Sequence, residues 1–364
     1  MSDYCCLQDL GLAGMSAPDN EAVVHQRCVS QLEGGHAYNK VDLSSSWRFS
    51  WPISAFTFGI IETIGIVKLS ENYKRPSFTK QAIICTIKIK RLNWLIEGAY
   101  KMKIGFIGAG NMGRAIIDGW LKTKAVAPDD LLIHSAHATS YEPYAQANGL
   151  HALASNQAVA EAADVIVLAI KPDITLDVLK AIKPAITAGK WVITMVSGLN
   201  LADYEAAVGK LPILRIMPNV NVAIGAGMTA LIGNDSLTAE QYAAGQGLFN
   251  AIGETSEIAE KDFSTFSALA GSSPAYVYFF IDAMARAGVK HGLDKATATK
   301  IAAQATLGSA KMVLASDKIP FELVDQVSSP GGTTVAGLLA MEEAGFMTAV
   351  VKGIDATIAK ELGE

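Results

Sequence analysis

The chain has 364 residues, half of them hydrophobic and 18% charged, with a formal net charge of −5. That is enough apolar sequence for two domains with separate cores, and too little charge for a largely disordered chain. The acidic balance, with no basic stripe or Lys/Arg cluster, argues against a nucleic-acid or anionic-membrane partner.

Residues 1–101 carry no sustained periodicity, repeat or motif. All four cysteines (Cys5, Cys6, Cys28 and Cys85) and Trp47, Trp51 and Trp94 fall here, so the composition breaks near residue 101. The cysteine spacing fits no zinc pattern, no metal site is expected, and a disulfide framework would be out of place beside a cysteine-free remainder. The start, Met1-Ser2-Asp3-Tyr4-Cys5-Cys6, lacks the basic region of a secretory signal. The best apolar run, Ile53 to Leu69, is broken by Glu62 and Lys68, so no membrane span is expected and a cytoplasmic location is.

Three readings compete for this stretch: an accessory domain, a targeting extension, or translated upstream sequence preceding a true start at Met102. The third is favoured, because a nucleotide fold needs its first strand directly before its glycine turn and Met102-Lys103-Ile104 places it there. Glu97-Gly98-Ala99 can also be encoded with a purine-rich ribosome-binding run just ahead of the Met102 codon. Acids at Asp3, Asp9, Asp19, Glu21 and Glu33 count against a transit peptide.

Residues 102–119 read as a short apolar strand, then Gly108, Gly110 and Gly113 in G-x-G-x-x-G spacing, then a helix. Gly108 permits the tight turn, Gly110 lets a diphosphate approach the backbone, and Gly113 lets helix and strand pack closely. The pyrophosphate would sit on the free amides of the helix start. The next strand, Asp130 to Ser135, ends without the Asp or Glu that holds a ribose 2′-hydroxyl. His134, Ser135, Ala136 and His137 stand there instead, which favours NADP(H), although the arginine usual in NADP sites is missing from this segment.

Apolar strands then alternate with helices: Asp164 to Ile170, ending at Lys171-Pro172; Trp191 to Val196, ending at Ser197-Gly198; and Ile213 to Met217, closed by Pro218-Asn219. Continuous apolar strands predict a parallel sheet covered on both faces, with Lys171, Pro172, Ser197 and Asn219 lining one crevice at its carboxyl edge. Met228 to Ile232 and Glu254 to Ala259 complete the sheet.

From Phe263 strand signals vanish. Ser273 is predicted as an N-cap with Pro274 at the first helical position, for a helix to about Gly288. Asp294 caps a second, alanine-rich helix through Ile301, Ala305, Leu307, Ala310 and Val313, small and apolar nearly all round. A helical unit of this size calls for burial against a second subunit. Ser328-Ser329-Pro330-Gly331-Gly332-Thr333-Thr334 leads into a helix over Ala336 to Glu343. It forms either a second anion site, suited to a carboxylate, or a plain capped turn.

Gly108-Ala109-Gly110-Asn111-Met112-Gly113, Ala169-Ile170-Lys171-Pro172, Arg215-Ile216-Met217-Pro218-Asn219, Gly271-Ser272-Ser273-Pro274-Ala275-Tyr276 and Ser329-Pro330-Gly331-Gly332-Thr333-Thr334 occur in that order. Together they resemble the pyrroline-5-carboxylate reductase family, over residues 102–364 and none of the first hundred. The resemblance implies an α/β protein: an N-terminal Rossmann dinucleotide-binding domain over 102–262, then an all-helical dimerisation domain over 263–364. The implied activity is reduction of 1-pyrroline-5-carboxylate to L-proline with NADPH, NADH being the alternative donor, in a homodimer or larger homo-oligomer.

By the same resemblance Ile107, Gly108, Ala109, Gly110, Asn111 and Met112 bind the dinucleotide. Ser135, His137 and Asn156 lie near its adenosine half; Ala169, Ile170, Lys171, Pro172, Met195, Val196 and Ser197 lie near its nicotinamide half. Glu260, Gln326, Val327, Ser329, Gly331, Gly332 and Thr333 meet the substrate, with Thr334 closest to the ring nitrogen. The family often has Asn where this chain has Gln326.

The residue types suit that chemistry, since a cyclic imine arrives protonated and positioning supplies most of the rate. The Gly331 and Gly332 amides are expected to hold the substrate carboxylate. A 3-hydroxyacid dehydrogenase would need G-x-x-x-N-x-x-K after Phe263, a spacing the chain lacks. A nucleotide sensor without chemistry would have no use for the Ser329–Thr334 loop.

Overall fold

The structure, a computed structural model, describes residues 102–364; the readings made of residues 1–101 lie outside the described residues. Four parallel strands come first, each followed by a helix: β1 (Ile104–Ile107) and α1 (Asn111–Thr123), β2 (Leu131–His134) and α2 (Ala138–Asn148), β3 (His151–Ala152) and α3 (Asn156–Ala162), β4 (Val165–Leu168) and α4 (Pro172–Ile182). Then come β5 (Trp191–Thr194), α5 (Leu201–Val208), β6 (Ile213–Pro218), β7 (Gly227–Gly233), α6 (Ala239–Asn250) and β8 (Gly253–Glu257). They form one eight-stranded sheet in the order β3-β2-β1-β4-β5-β6-β7-β8.

Every pairing is parallel except β6 with β7, a departure from the expected all-parallel sheet. The link between them holds only a 3-10 turn, Val220–Ile224, whereas a parallel crossover needs about a dozen residues or more. The chain can only turn back beside the strand it has left.

Each sheet face carries a core. On one, Trp120 is fully buried, edge-on to Phe106 at 5.7 Å between centroids and 5.8 Å from Phe249. Its indole Nε1 donates to Leu248 O at 2.8 Å, so a polar atom in the core is satisfied and α1 is tied to α6. On the other face Val159, Leu179 and Tyr204 pack against Ile166 and Val192. There the Tyr204 hydroxyl shares a hydrogen bond of 2.7 Å with Thr194 Oγ1.

The rest is helical: α7 (Phe263–Phe266), a π-turn over Ser267–Ser272, α8 (Ser273–Lys290), α9 (Lys295–Ala315), α10 (Pro320–Gln326), α11 (Thr333–Glu343) and α12 (Phe346–Leu362). Asp294 caps α9 as expected, accepting from Thr297 N at 2.9 Å. Ser273 is not an N-cap. The chain is already helical from Phe263, Ser272 itself has helical angles (φ −90°, ψ −31°), and Ser273 Oγ donates back to Leu269 O at 2.7 Å. Pro274 has no N–H to offer the carbonyl of Ala270 one turn earlier. That carbonyl accepts instead from Asn219 Nδ2 at 2.9 Å, so a side chain from the sheet edge repairs the gap and the helix passes through its proline by way of the π-turn.

Beyond Phe263 no large apolar side chain is buried. Phe279 is 78% exposed, Leu314 84% and Phe321 63%. Among the described residues no single helix is long and apolar enough to cross a membrane.

Trp120→Phe keeps the ring contacts but strands the Leu248 carbonyl in an apolar core. The expected loss is about 1–3 kcal/mol of stability, read as a lower urea midpoint with an unchanged slope.

Candidate active site

Strand register brings the expected cofactor residues to one edge. Ile107 pairs with His134 on one side and Leu168 on the other, and Leu168 pairs with Thr194. β2, β1, β4 and β5 therefore end level, and the segments leaving them, from Ser135, Gly108, Ala169 and Met195, open onto a common crevice.

At the turn, Gly108 has φ +103°, and a Cβ there would lie 2.2 Å from the Ala169 carbonyl oxygen. Its N–H donates to His134 O at 2.8 Å. Gly113 packs the helix onto the strand, its would-be Cβ 3.2 Å from Gly108 O and 3.3 Å from Ala169 Cβ. Gly110 is different. Its backbone is extended and a Cβ would meet nothing within 4 Å, so the site faces open space.

Helix α1 begins with no side-chain cap and no acid in its first turn, and its first backbone bond is Arg114 N to Gly110 O at 3.0 Å. The amides of Asn111 and Met112 thus point outward beside the open face of Gly110, which fits a diphosphate. Ile107 and Ala109 are buried, so they offer backbone rather than side chains; Met112 leans on the core.

Farther along the edge, Ser135 is half-buried and His137 is exposed at the start of α2. His134 is not a free donor to a ligand. Its Nδ1 lies 2.9 Å from Leu153 O and 3.2 Å from the Tyr141 hydroxyl, so the ring is turned into the fold. Asn156 opens α3 behind Ser155, whose Oγ caps the helix by accepting from Ala158 N. Ala169 and Ile170 are half-buried after β4. Lys171 is exposed, its ammonium without a partner among the described residues, and Pro172 starts α4. Met195 is half-buried, Val196 buried and Ser197 exposed. Asn219, expected in the crevice, has its side chain committed to Ala270 and to the amides of Asn221 and Met228.

Among the residues expected to meet the substrate, Glu260 is a joint. Its Oε1 accepts from Arg215 Nη1 at 2.8 Å and from Leu201 N at 2.9 Å, while the Arg215 guanidinium lies 4.2 Å over the Phe263 ring. The carboxylate ties β6 to α5, the Arg215 it holds reaches Phe263 at the start of the helical half, and Oε2 has no partner among the described residues. Gln326 ends α10, and Val327 is 67% exposed.

Ser329, Pro330, Gly331 and Gly332 make a turn, with Gly331 at φ +69° and the Gly332 N–H donating to Ser329 O at 2.9 Å. The Gly332 amide is therefore not the free donor expected of it. Helix α11 starts at Thr333 rather than Ala336, again without a side-chain cap or an acid in its first turn. Its outward amides are those of Thr333 and Thr334, and both residues are exposed. Ser328, part of the same loop segment, has a buried Oγ with no partner among the described residues. No hydrogen bond or ion pair between described residues joins this loop to the glycine turn of the same chain.

Comparison with known proteins agrees with both halves. Residues 103–198 match the family described as NADP oxidoreductase, coenzyme F420-dependent, and residues 260–363 match pyrroline-5-carboxylate reductase dimerisation. The pyrroline-5-carboxylate reductase of Escherichia coli K12 is 40% identical over 253 residues, 69% of this chain and 94% of that protein. The enzyme of Methanosarcina acetivorans is 35% identical over 271 residues, 72% and 98% of the two chains.

Among solved structures, the 1-pyrroline-5-carboxylate reductase of Streptococcus pyogenes aligns with a TM-score of 0.65 and 41% identity, covering 72% of this chain and 99% of that one. The pyrroline carboxylate reductase of Plasmodium falciparum, with NADP bound, gives 0.65 and 33%, covering 72% and 97%. Relatives at 33–41% identity are thus covered over 94–99% of their own length, and the chain belongs to the pyrroline-5-carboxylate reductase family.

Proposed function

We propose that this chain reduces 1-pyrroline-5-carboxylate to L-proline with NADPH as donor, NADH being the alternative, and that its boundary between dinucleotide and helical domains falls between Asp262 and Phe263. The observation that carries the reading is a pair of uncapped helix starts, at Asn111 and at Thr333, in a chain 40% identical to a reductase of that name. The bound reduced nicotinamide supplies the hydride. The Asn111 and Met112 amides take the diphosphate, Ser135, His137 and Asn156 flank the adenosine, and Ala169–Pro172 and Met195–Ser197 flank the nicotinamide. The loop Gln326–Thr333, with Glu260, encloses the imine; the Thr333 and Thr334 amides hold its carboxylate, and the Thr334 hydroxyl orients the protonated ring nitrogen. No residue need act as a strong acid, so positioning dominates the rate.

A second copy completes the site in this proposal. The helical half leaves Phe279, Leu314, Ile319 and Phe321 more than 60% exposed, far more apolar surface than a soluble monomer carries. Because the Ser329–Thr334 loop makes no polar contact with its own glycine turn, it is free to face the crevice of its partner. A cytoplasmic location belongs to the same proposal, and fractionation with the activity as marker tests it.

Oxidation of NADPH, followed at the nicotinamide band with pyrroline-5-carboxylate against small 2- and 3-oxo acids, tests the reaction; turnover of an oxo acid alone would reject it. Gly110→Val fills only open space in the free protein, so its thermal transition should stay near wild type while dinucleotide affinity falls on the order of 100-fold. Thr334→Ala should lower kcat/KM roughly 100-fold with little change in the dissociation constant for NADPH. Mixing Gly110→Val subunits with Thr334→Ala subunits should restore about a quarter of wild-type activity if each site spans two chains, and none if it lies within one.

A further inference from the structure

Residues 102–364 contain three arginines. Arg215 is paired with Glu260 and Arg286 with Asp282, but Arg114 has no carboxylate within 4.0 Å among the described residues. It is nevertheless firmly placed. Nε donates to Ala109 O at 2.9 Å, and Nη2 donates to Ser140 O at 2.9 Å and to Ser140 Oγ at 2.8 Å. The guanidinium also lies 4.7 Å from the centroid of the Tyr144 ring. Tyr144 in turn gives its hydroxyl proton to Asp118, which keeps the nearest acid engaged with the phenol. Three neutral acceptors and an aromatic face thus fix a half-buried cation whose Nη1 has no partner among the described residues. The side chain is thus held in place with its charge uncompensated, which leaves it available to an anion.

Its position indicates which anion. Ala109 belongs to the glycine turn, and Ser140 lies in the first turn of α2, just past the Ser135–His137 segment that leaves β2. In a dinucleotide site of this topology the adenosine ribose lies between those two segments. From Ser135 to Ser140 there is no acid, and α2 has none in its first turn. A guanidinium with a free N–H pair matches the oxygens of a phosphate monoester.

We propose that Arg114 is the residue that recognises the 2′-phosphate of the dinucleotide and so sets the preference for NADPH over NADH; this rests on the dinucleotide reading of the glycine turn. Arg114 fills the role that the segment after β2 leaves vacant, from the first helix rather than from the second strand. Ser140 positions it through both its carbonyl and its hydroxyl. Ser135 and His137, a few residues before Ser140, offer further hydrogen-bond donors.

The test measures binding rather than turnover. Dissociation constants for NADP+, NAD+, adenosine 2′,5′-bisphosphate and adenosine 5′-monophosphate are determined by calorimetry for wild type, Arg114→Met and Arg114→Lys, with circular dichroism confirming the fold. Arg114→Met should weaken NADP+ and the bisphosphate by about 10- to 100-fold, and NAD+ and the monophosphate by less than about twofold. It should also flatten the salt dependence of NADP+ affinity, with Arg114→Lys intermediate. Equal weakening of all four ligands would overturn the proposal, because the side chain would then be stacking on the adenine or only bracing the glycine turn. So would an unchanged preference in Arg114→Met, or a wild type without preference. A wild type that binds neither dinucleotide would reject the dinucleotide reading itself, and the role of Arg114 with it.

Discussion

The crevice depends on how closely two strand ends approach each other. A first side-chain carbon at residue 108 would stand 2.2 Å from the carbonyl oxygen of Ala169, in a backbone conformation that L side chains avoid. With glycine there, β1 turns under the end of β4 and enters α1 without a capping side chain, leaving the first amides of the helix exposed. The same turn brings Gly108 N–H to His134 O, so the exit from β2 is tied to it. One tight contact therefore sets the floor of the crevice, the direction of the helix and the position of the segment leaving β2.

The helical half is coupled to this frame at few points, and most of them are polar. Arg215, Glu260 and Phe263 join β6 and α5 to the first helical residue, and Asn219 repairs the helix at Pro274. A core would anchor a domain over a broad surface. Here ion-pair, amide and aromatic contacts fix where the helices begin, while their apolar flanks stay uncovered. That arrangement suits a unit whose packing partner is another copy of itself, in keeping with the dimerisation family that residues 260–363 match.

The helix starts at Asn111 and at Thr333, both without a side-chain cap, differ in the turn that precedes them. At α1 the glycine before the helix is extended and opens onto space, so a bulky diphosphate can lie across the amides. At α11 the turn is closed on itself by Gly332 N–H, and only the Thr333 and Thr334 amides are presented, beside two hydroxyls. The first helical bond falls at the same place in both, Arg114 N to Gly110 O and Ala336 N to Gly332 O, so the two threonine hydroxyls are what set the α11 start apart.

Local patterns announced most of the frame. The apolar strands, the glycine spacing, the Asp294 cap and the Ser329–Thr334 loop are all readable because each is made by residues within a few positions of one another. The features that needed the tertiary structure are those whose partner is distant in sequence. Ser273 reads as a cap because Pro274 follows it, yet the carbonyl that this proline orphans is taken by Asn219, 51 residues away. His134 reads as a ligand donor until Leu153 claims its ring, and Gly332 reads as a free amide until Ser329 takes its proton. Arg114 reads as an ordinary helix residue until Ala109 and Ser140 hold its guanidinium beside the glycine turn. Sequence by itself determined the periodicities, the turns and the family, since those depend on backbone propensity and neighbouring side chains. Which polar group remains free to meet a ligand was decided only by the folded chain, because every buried donor and acceptor must find its partner wherever the fold brings one.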